Sequence, residues 1–212
     1  MTIKQILVST FSFPTEYRCT SCQTAFRAPF REAYYYLGSA AMGQQVEDSQ
    51  LLKIPLRPAW CKDCAGLCAA EDILPLRDFE NAYGAARAGK EIEYPVWSEY
   101  MDAQFVASEV GHYLRWRMTR RHAPRVLCCG GTNFQYLDVE QPLIKHAECE
   151  FGFIQGWYRI GGYNGPGPGV RSAANIRLYD SEGGLIGQLT WRSKEINGWD
   201  TEKLSYPTPI ED

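Results

Sequence analysis

The clearest periodic signal lies in the middle of the chain. From about Glu71 to Ala88, the apolar residues Ile73, Leu76, Phe79, Tyr83 and Ala86 recur every three or four positions, which is one face of an α-helix. Gly89 is a natural stop, because glycine adopts the left-handed conformation that closes a helix at no steric cost. A second helix is expected from about Ser98, an N-cap residue with Glu99 beside it, to about Arg121. Met101, Phe105, His112 and Trp116 fall on one side of it, and Pro124 ends it.

On either side of these helices the period shortens to two. Ile3, Ile6, Val8, Phe11 and Phe13 make the first 29 residues read as extended chain. Residues 30–46 are ambiguous: Tyr34, Tyr35 and Tyr36 favour strand, while the alanines favour helix. After Cys128 the segments Phe134–Val139, Phe151–Ile160, Asn175–Tyr179 and Leu185–Trp191 are rich in aromatic and branched residues. NIRLYDSEGGLIGQLTW is two alternating strands about a glycine-containing turn, a hairpin. Gly161–Gly169, GGYNGPGPG, reads as a loop, and the tail after Trp199 is expected to trail over the surface. The resulting fold class is α+β: a metal-braced N-terminal part (1–70), a helical segment (71–125) and an antiparallel β region (126–212). All three can also form a single compact domain.

Composition narrows the class of protein. Hydrophobic residues make up 45% and charged residues 22% of 212, which suits an ordinary globular core. A net charge of −3 argues against phosphate-backbone binding by the surface as a whole. No stretch approaches the roughly 20 apolar residues that span a bilayer. The N-terminal apolar run is interrupted by Pro14 and Glu16 before any cleavage pattern, so a cytoplasmic location is expected.

Eight cysteines then need an explanation in a reducing compartment, where CxxC spacing favours metal over disulfides. Cys19-Thr-Ser-Cys22 and Cys61-Lys-Asp-Cys64 are two such turns, separated by residues 23–60. Each turn offers two thiolates, so together they predict one closed tetrahedral zinc site made of Cys19, Cys22, Cys61 and Cys64. The plainer alternatives are a chance cluster of buried cysteines and a redox CxxC, although redox motifs sit in a βαβ setting and do not come in pairs. Cys68 is read as a buried thiol at the start of the following helix, or as a substitute for Cys64.

A second constellation is less regular. Leu-Cys128-Cys129-Gly-Gly and Lys-His146-Ala-Glu-Cys149 look like altered zinc-ribbon knuckles, with Val126 where one cysteine would stand and His146 in a ligand position. Cys129, His146 and Cys149 are the candidate ligands of a second zinc, with Cys128 as a possible fourth. The cysteine turns thus resemble those of small, bacterial-looking zinc-ribbon proteins. The resemblance covers the turns alone; it implies a structural metal and a binding role.

Catalytic signals are weak. A Cys129–His146–Cys149 zinc with an open position would be a hydrolase centre, but the deaminase string P-C-x-x-C is absent. The glycine-rich loop lacks the Lys-Ser/Thr of a phosphate cradle. His112 reads as a half-buried helix residue.

Two binding readings remain. Arg115, Arg117, Arg120, Arg121 and Arg125, with Trp116 among them, form a candidate nucleic-acid patch. The same cations in a helix's last turn would stabilise its negative end by about 0.3–1 kcal/mol each, or pair with Glu91, Glu93 and Glu99. Against this stands a protein partner, met by Tyr94, Trp97, Tyr158, Tyr163, Trp199 or Tyr206, since tyrosine, tryptophan and arginine dominate interface hot spots. A zinc-stabilised protein-binding protein, in one form an immunity or antitoxin-like inhibitor of a partner enzyme, is the leading expectation.

Overall fold

The computed structural model describes residues 16–27, 33–38, 45–90, 92, 103–137, 144–157, 176–191, 198–204 and 206. Sequence features at Ile3–Phe13, Tyr94, Trp97, Ser98–Met101, Tyr158, Gly161–Gly169 and Pro207–Asp212 lie outside the described residues, as do Glu91 and Glu93.

The described chain is α+β, with twelve strands and two α-helices. Three sheets form. A three-stranded sheet has the order β2 (Ala25–Arg27), β1 (Glu16–Cys19), β9 (Ile154–Trp157). A six-stranded sheet runs β4 (Val46–Glu47), β12 (Gly198–Lys203), β11 (Leu185–Trp191), β10 (Ile176–Tyr179), β3 (Ala33–Tyr36), β5 (Leu51–Lys53). The third sheet is β7 (Gly66–Glu71), β6 (Leu56–Cys61), β8 (Phe134–Tyr136). Every sheet joins strands from before residue 72 to strands from after residue 133.

The tyrosine run is strand, and its period of two divides the core. Tyr35 is buried on the face that meets the helices, with Ala33, Leu52, Ile54, Tyr179, Phe79, Tyr113 and Trp116. Tyr34 and Tyr36 point to the other face, toward Leu178, Leu189 and Trp199. The expected hairpin is present: Ile176 faces Leu189 across an antiparallel pair, while β10 also pairs in parallel with β3. The described residues after Trp199, as far as Tyr206, do not trail away. Residues 198–203 are a strand bonded to β11 and β4, and the Tyr206 hydroxyl accepts from Leu185 N at 3.0 Å. Trp199 is buried and Tyr206 packs against the helix-side core, so neither is a surface aromatic.

Helix α1 spans Leu76–Arg87, shorter than its apolar pattern suggested, and among the described residues α2 spans Ala103–Thr119, ending before the expected Arg121. Glu71, expected at the start of α1, instead ends β7. Gly89 does stop α1, with φ +65°. On α2 the buried side is Val110, Tyr113 and Trp116, continued by Arg120 just past its end, whereas Phe105 is exposed and His112 half-buried. The stripe is thus rotated from the expected Phe105–His112–Trp116 line, because Trp116 stacks on Tyr35 at 4.5 Å and Tyr113 on Phe79 at 6.1 Å.

Glu71 and Arg120 form a fully buried ion pair, with Arg120 Nη2 at 2.6 Å from Glu71 Oε2. Such a pair survives burial only when its remaining lone pairs are used. Here Tyr35 Oη donates to Oε1 at 2.7 Å, and Arg125 N donates to Oε2 at 2.8 Å. The Arg120 guanidinium also lies over the rings of Tyr35 and Trp116. The β10–β11 turn covers the pair. Gly183 has φ +81°, and a Cβ there would stand 2.7 Å from Glu71 Oε1, so both the backbone conformation and the space demand glycine. One carboxylate therefore ties the third sheet, helix α2, the six-stranded sheet and the chain leaving α2 toward Cys128.

Candidate metal centres

Each cysteine turn grows out of a strand end. β1 finishes at the buried Cys19, and a tight turn brings Cys22 round on the surface; Gln23 N donates to Cys19 O at 3.1 Å. Gln23 has φ +61°, the conformation that reverses the chain into β2. β6 finishes likewise at the buried Cys61, with Cys64 exposed and Ala65 at φ +47°. Cys64 N donates to Cys61 Sγ at 3.4 Å, the backbone-to-sulfur bond that a thiolate ligand accepts.

The two turns do not share a centre. Because β1 pairs antiparallel with β9, Cys19 lies opposite Ile154, and the knuckle at 146–149 arrives beside the first turn. Thr20 N donates to Phe153 O at 2.9 Å, and Phe153 N donates to Thr20 Oγ1 at 3.0 Å, closing the two loops on each other. The ligand atoms of Cys19, Cys22, His146 and Cys149 all lie within 4.8 Å of one another. Cys61 and Cys64 meet a different loop, in which Gly130 N donates to Val126 O and Val126 N to Gly131 O, both at 3.0 Å. That ring turns the adjacent Cys128 and Cys129 toward the second pair, and Cys61, Cys64, Cys128 and Cys129 form the other group within 4.8 Å.

This corrects the grouping read from sequence. Cys19, Cys22, Cys61 and Cys64 are not one four-cysteine site, and Cys129 does not join His146 and Cys149 in an open triad. The physical reason is strand pairing: the outermost cysteine turn meets the last knuckle, and the inner turn meets the inner loop. Val126, in the place where a cysteine was looked for, is a fully buried core residue. Cys68 lies on β7, not on a helix, with its thiol donating to Ala59 O at 3.4 Å.

The spacings fit a tetrahedral ion. Sulfur bonds of about 2.3 Å place neighbouring ligands about 3.8 Å apart, and a sulfur–nitrogen edge is a few tenths shorter. Cys61 Sγ to Cys129 Sγ is 3.7 Å, Cys128 Sγ to Cys129 Sγ 3.9 Å, and Cys22 Sγ to His146 Nδ1 3.4 Å. Gly152 lines the first centre so closely that a Cβ would stand 2.1 Å from Cys19 Sγ and 2.9 Å from Cys149 Sγ. The imidazole is held by an edge-on contact with Phe26 at 5.2 Å, and its Nε2 lies 3.8 Å from Glu148 Oε2.

The free thiols differ in acidity even before an ion is considered. The Thr24 hydroxyl beside Cys22 is the main cause of a thiol pKa brought down to about 7, and Ser21 lowers that of Cys149 in the same way. Cys128 moves up, through its hydrogen bond with Cys68 and then through burial. An ion takes all of them as thiolates.

The arginine run separates into unlike roles. Arg120 is buried on Glu71, Arg117 Nε donates to Leu74 O at 3.1 Å, and Arg125 is half-buried, whereas Arg115 and Arg121 are exposed. No helix among the described residues is long and apolar enough to cross a membrane. No family model matches the chain, and no curated protein or solved structure does either.

Proposed function

We propose that the chain is a zinc-braced, non-enzymatic protein-binding protein with one zinc ion in each centre. The observation that carries the reading is the pair of complete ligand sets, three cysteines with a histidine in one and four cysteines in the other, each within 4.8 Å. Four sulfur or imidazole ligands fill a tetrahedral ion and leave no position for water or substrate, which is the signature of a structural site. The first centre also stiffens a surface suited to contact. Phe151 is 75% and Phe153 42% exposed on the loop that follows Cys149, with the Glu148 side chain 88% exposed beside them. Rigid aromatics with an acidic flank are what a protein partner would bury. An immunity-like inhibitor that occludes a partner enzyme is one concrete form of this function.

The nucleic-acid alternative loses support from the placement of Arg117, Arg120 and Arg125, which are committed to a carbonyl, a buried carboxylate or packing. The test is to purify the tagged protein from its own host, measure zinc per chain, and identify co-purifying molecules with and without nuclease. Two zinc ions, and one protein at near-equal amounts in both halves, are expected. Partners that vanish with nuclease would replace this reading with nucleic-acid binding through Arg115 and Arg121.

A further inference from the structure

The four-cysteine centre has a fifth thiol beside it. Cys68 is 2% exposed and lies in the same buried cluster as Ala59, Cys61, Ala70 and Val126, against which Cys128 and Cys129 pack. Its relation to Cys128 follows from the chain beside β7. Ala70 faces Val126 in an antiparallel bridge, and Cys128 stands two residues on, in the 126–131 turn. Glu71 N donates to Arg125 O at 3.0 Å and Leu127 N to Ala69 O at 2.8 Å, which marks 71–125 and 69–127 as the hydrogen-bonded pairs. The ladder ends there, and the turn carries Cys128 back against the buried cluster that holds Cys68, where the two thiols hydrogen-bond to each other. Contact between thiols of two neighbouring segments is the starting arrangement from which a disulfide can close.

We propose that Cys68 and Cys128 form a reversible disulfide that withdraws Cys128 from the metal and so makes the four-cysteine centre responsive to oxidants. This rests on the reading of that centre as a metal site. Within the pair the roles are set by exposure: Cys128 is the half-exposed thiol that an oxidant reaches, while the buried Cys68 acts as the resolving thiol. With a hydroperoxide as oxidant, the Cys128 thiolate attacks one peroxide oxygen, the O–O bond breaks, and hydroxide leaves. The Cys68 sulfur then attacks the resulting sulfenic sulfur; its proton and the sulfenic oxygen depart as water. Two sulfurs are oxidised by one electron each and the peroxide takes both electrons. Cys61, Cys64 and Cys129 are left as a three-thiolate set that holds the ion less tightly. The histidine-containing centre has no spare thiol among the described residues and keeps its ion.

The test treats the full-length, zinc-loaded protein with hydrogen peroxide and reads two quantities: zinc released to a chromophoric chelator, and disulfides mapped by non-reducing peptide mass spectrometry. Zinc per chain is measured beforehand, so failure of the metal reading shows as missing zinc, separately from the disulfide map. The expected result is one zinc released per Cys68–Cys128 disulfide formed, reversed by dithiothreitol with added zinc. Cys68→Ser should slow release roughly tenfold or more, because the thiols left beside the sulfenate, Cys61, Cys64 and Cys129, are those that the ion holds. If that variant misfolds, the wild-type map still decides. A first product of Cys128–Cys129 or Cys61–Cys64, or Cys128 over-oxidised with Cys68 still a free thiol, would overturn the proposal.

Discussion

The two centres use almost the same ligands yet stand in different surroundings. The histidine-containing centre sits at the edge of the three-stranded β2–β1–β9 sheet and fastens two loops that otherwise share a few backbone bonds and the Cys19–Ile154 register. The four-cysteine centre lies against a buried cluster, and its inner loop is already anchored by Leu127 to Ala69 and by Glu71 to Arg125. Chain length does not separate them. Ligands 124 residues apart are linked in the first and 68 apart in the second, and loop closure then differs by only about 0.5 kcal/mol. What differs is the support each ion receives from neutral packing. The first centre supplies order that its loops lack, while the second completes order that the sheet and the Glu71 network have largely imposed.

The largest expected effects come from the ligands. Cys19→Ser or Cys149→Ser should remove one zinc and, with it, the order of the β2–β1–β9 sheet and its two loops, leaving the helices and the six-stranded sheet folded, as read by circular dichroism and hydrogen exchange. Cys61→Ser or Cys129→Ser should remove the other ion and leave the third sheet folded on its ladder and the Glu71 network. If both pairs unfold the protein equally, the contrast in support is wrong. Next is Glu71→Ala, which strands the Arg120 charge in the core and should cost about 3–5 kcal/mol in urea denaturation, with both ions retained in the fraction still folded. A loss below about 1 kcal/mol would show that the network does not anchor the inner loop.

A smaller effect isolates the first centre alone. Gly152→Ala places a methyl group against Cys19 Sγ and Cys149 Sγ; overpacking of that kind costs about 1–3 kcal/mol and should weaken zinc only at the histidine-containing centre. Loss of the ion from the four-cysteine centre instead would contradict the assignment. The smallest effect lies away from both. Glu182 is partly desolvated, but hydrogen bonds from His122 and from Arg121 N and His122 N outweigh that and hold its pKa at about 2, below the ordinary 4.5. A depressed carboxyl stabilises the fold above pH 4.5 and loses that contribution as pH falls toward 2. Glu182→Gln should lower stability by about 1 kcal/mol at neutral pH, flatten the acid limb, and leave both zinc ions in place.

The sequence disclosed the cysteine turns, the hairpin and the presence of two helices, because each is written in local spacing. It did not disclose which turns meet. Neighbouring CxxC pairs suggest one another, whereas the actual partners are nested, set by the register of β1 on β9 and of 125–127 on β7, and long-range register leaves no local mark. Cys128 and Cys129 are adjacent, and adjacent residues seldom serve one ion; the tight 126–131 ring is what brings both to the Cys61–Cys64 pair. Arg120 read as a cation at a helix end because a buried glutamate is rare, and nothing near Glu71 in sequence announces that it is buried.

Zinc counting in paired variants tests the nested assignment most directly. Cys19→Ser with Cys149→Ser removes two ligands of one ion, and elemental analysis of the folded double variant should find one zinc per chain. Cys19→Ser with Cys61→Ser touches both ions and should retain none. One zinc retained in that second variant, held by a centre that includes neither residue or by a single shared site, would contradict the account.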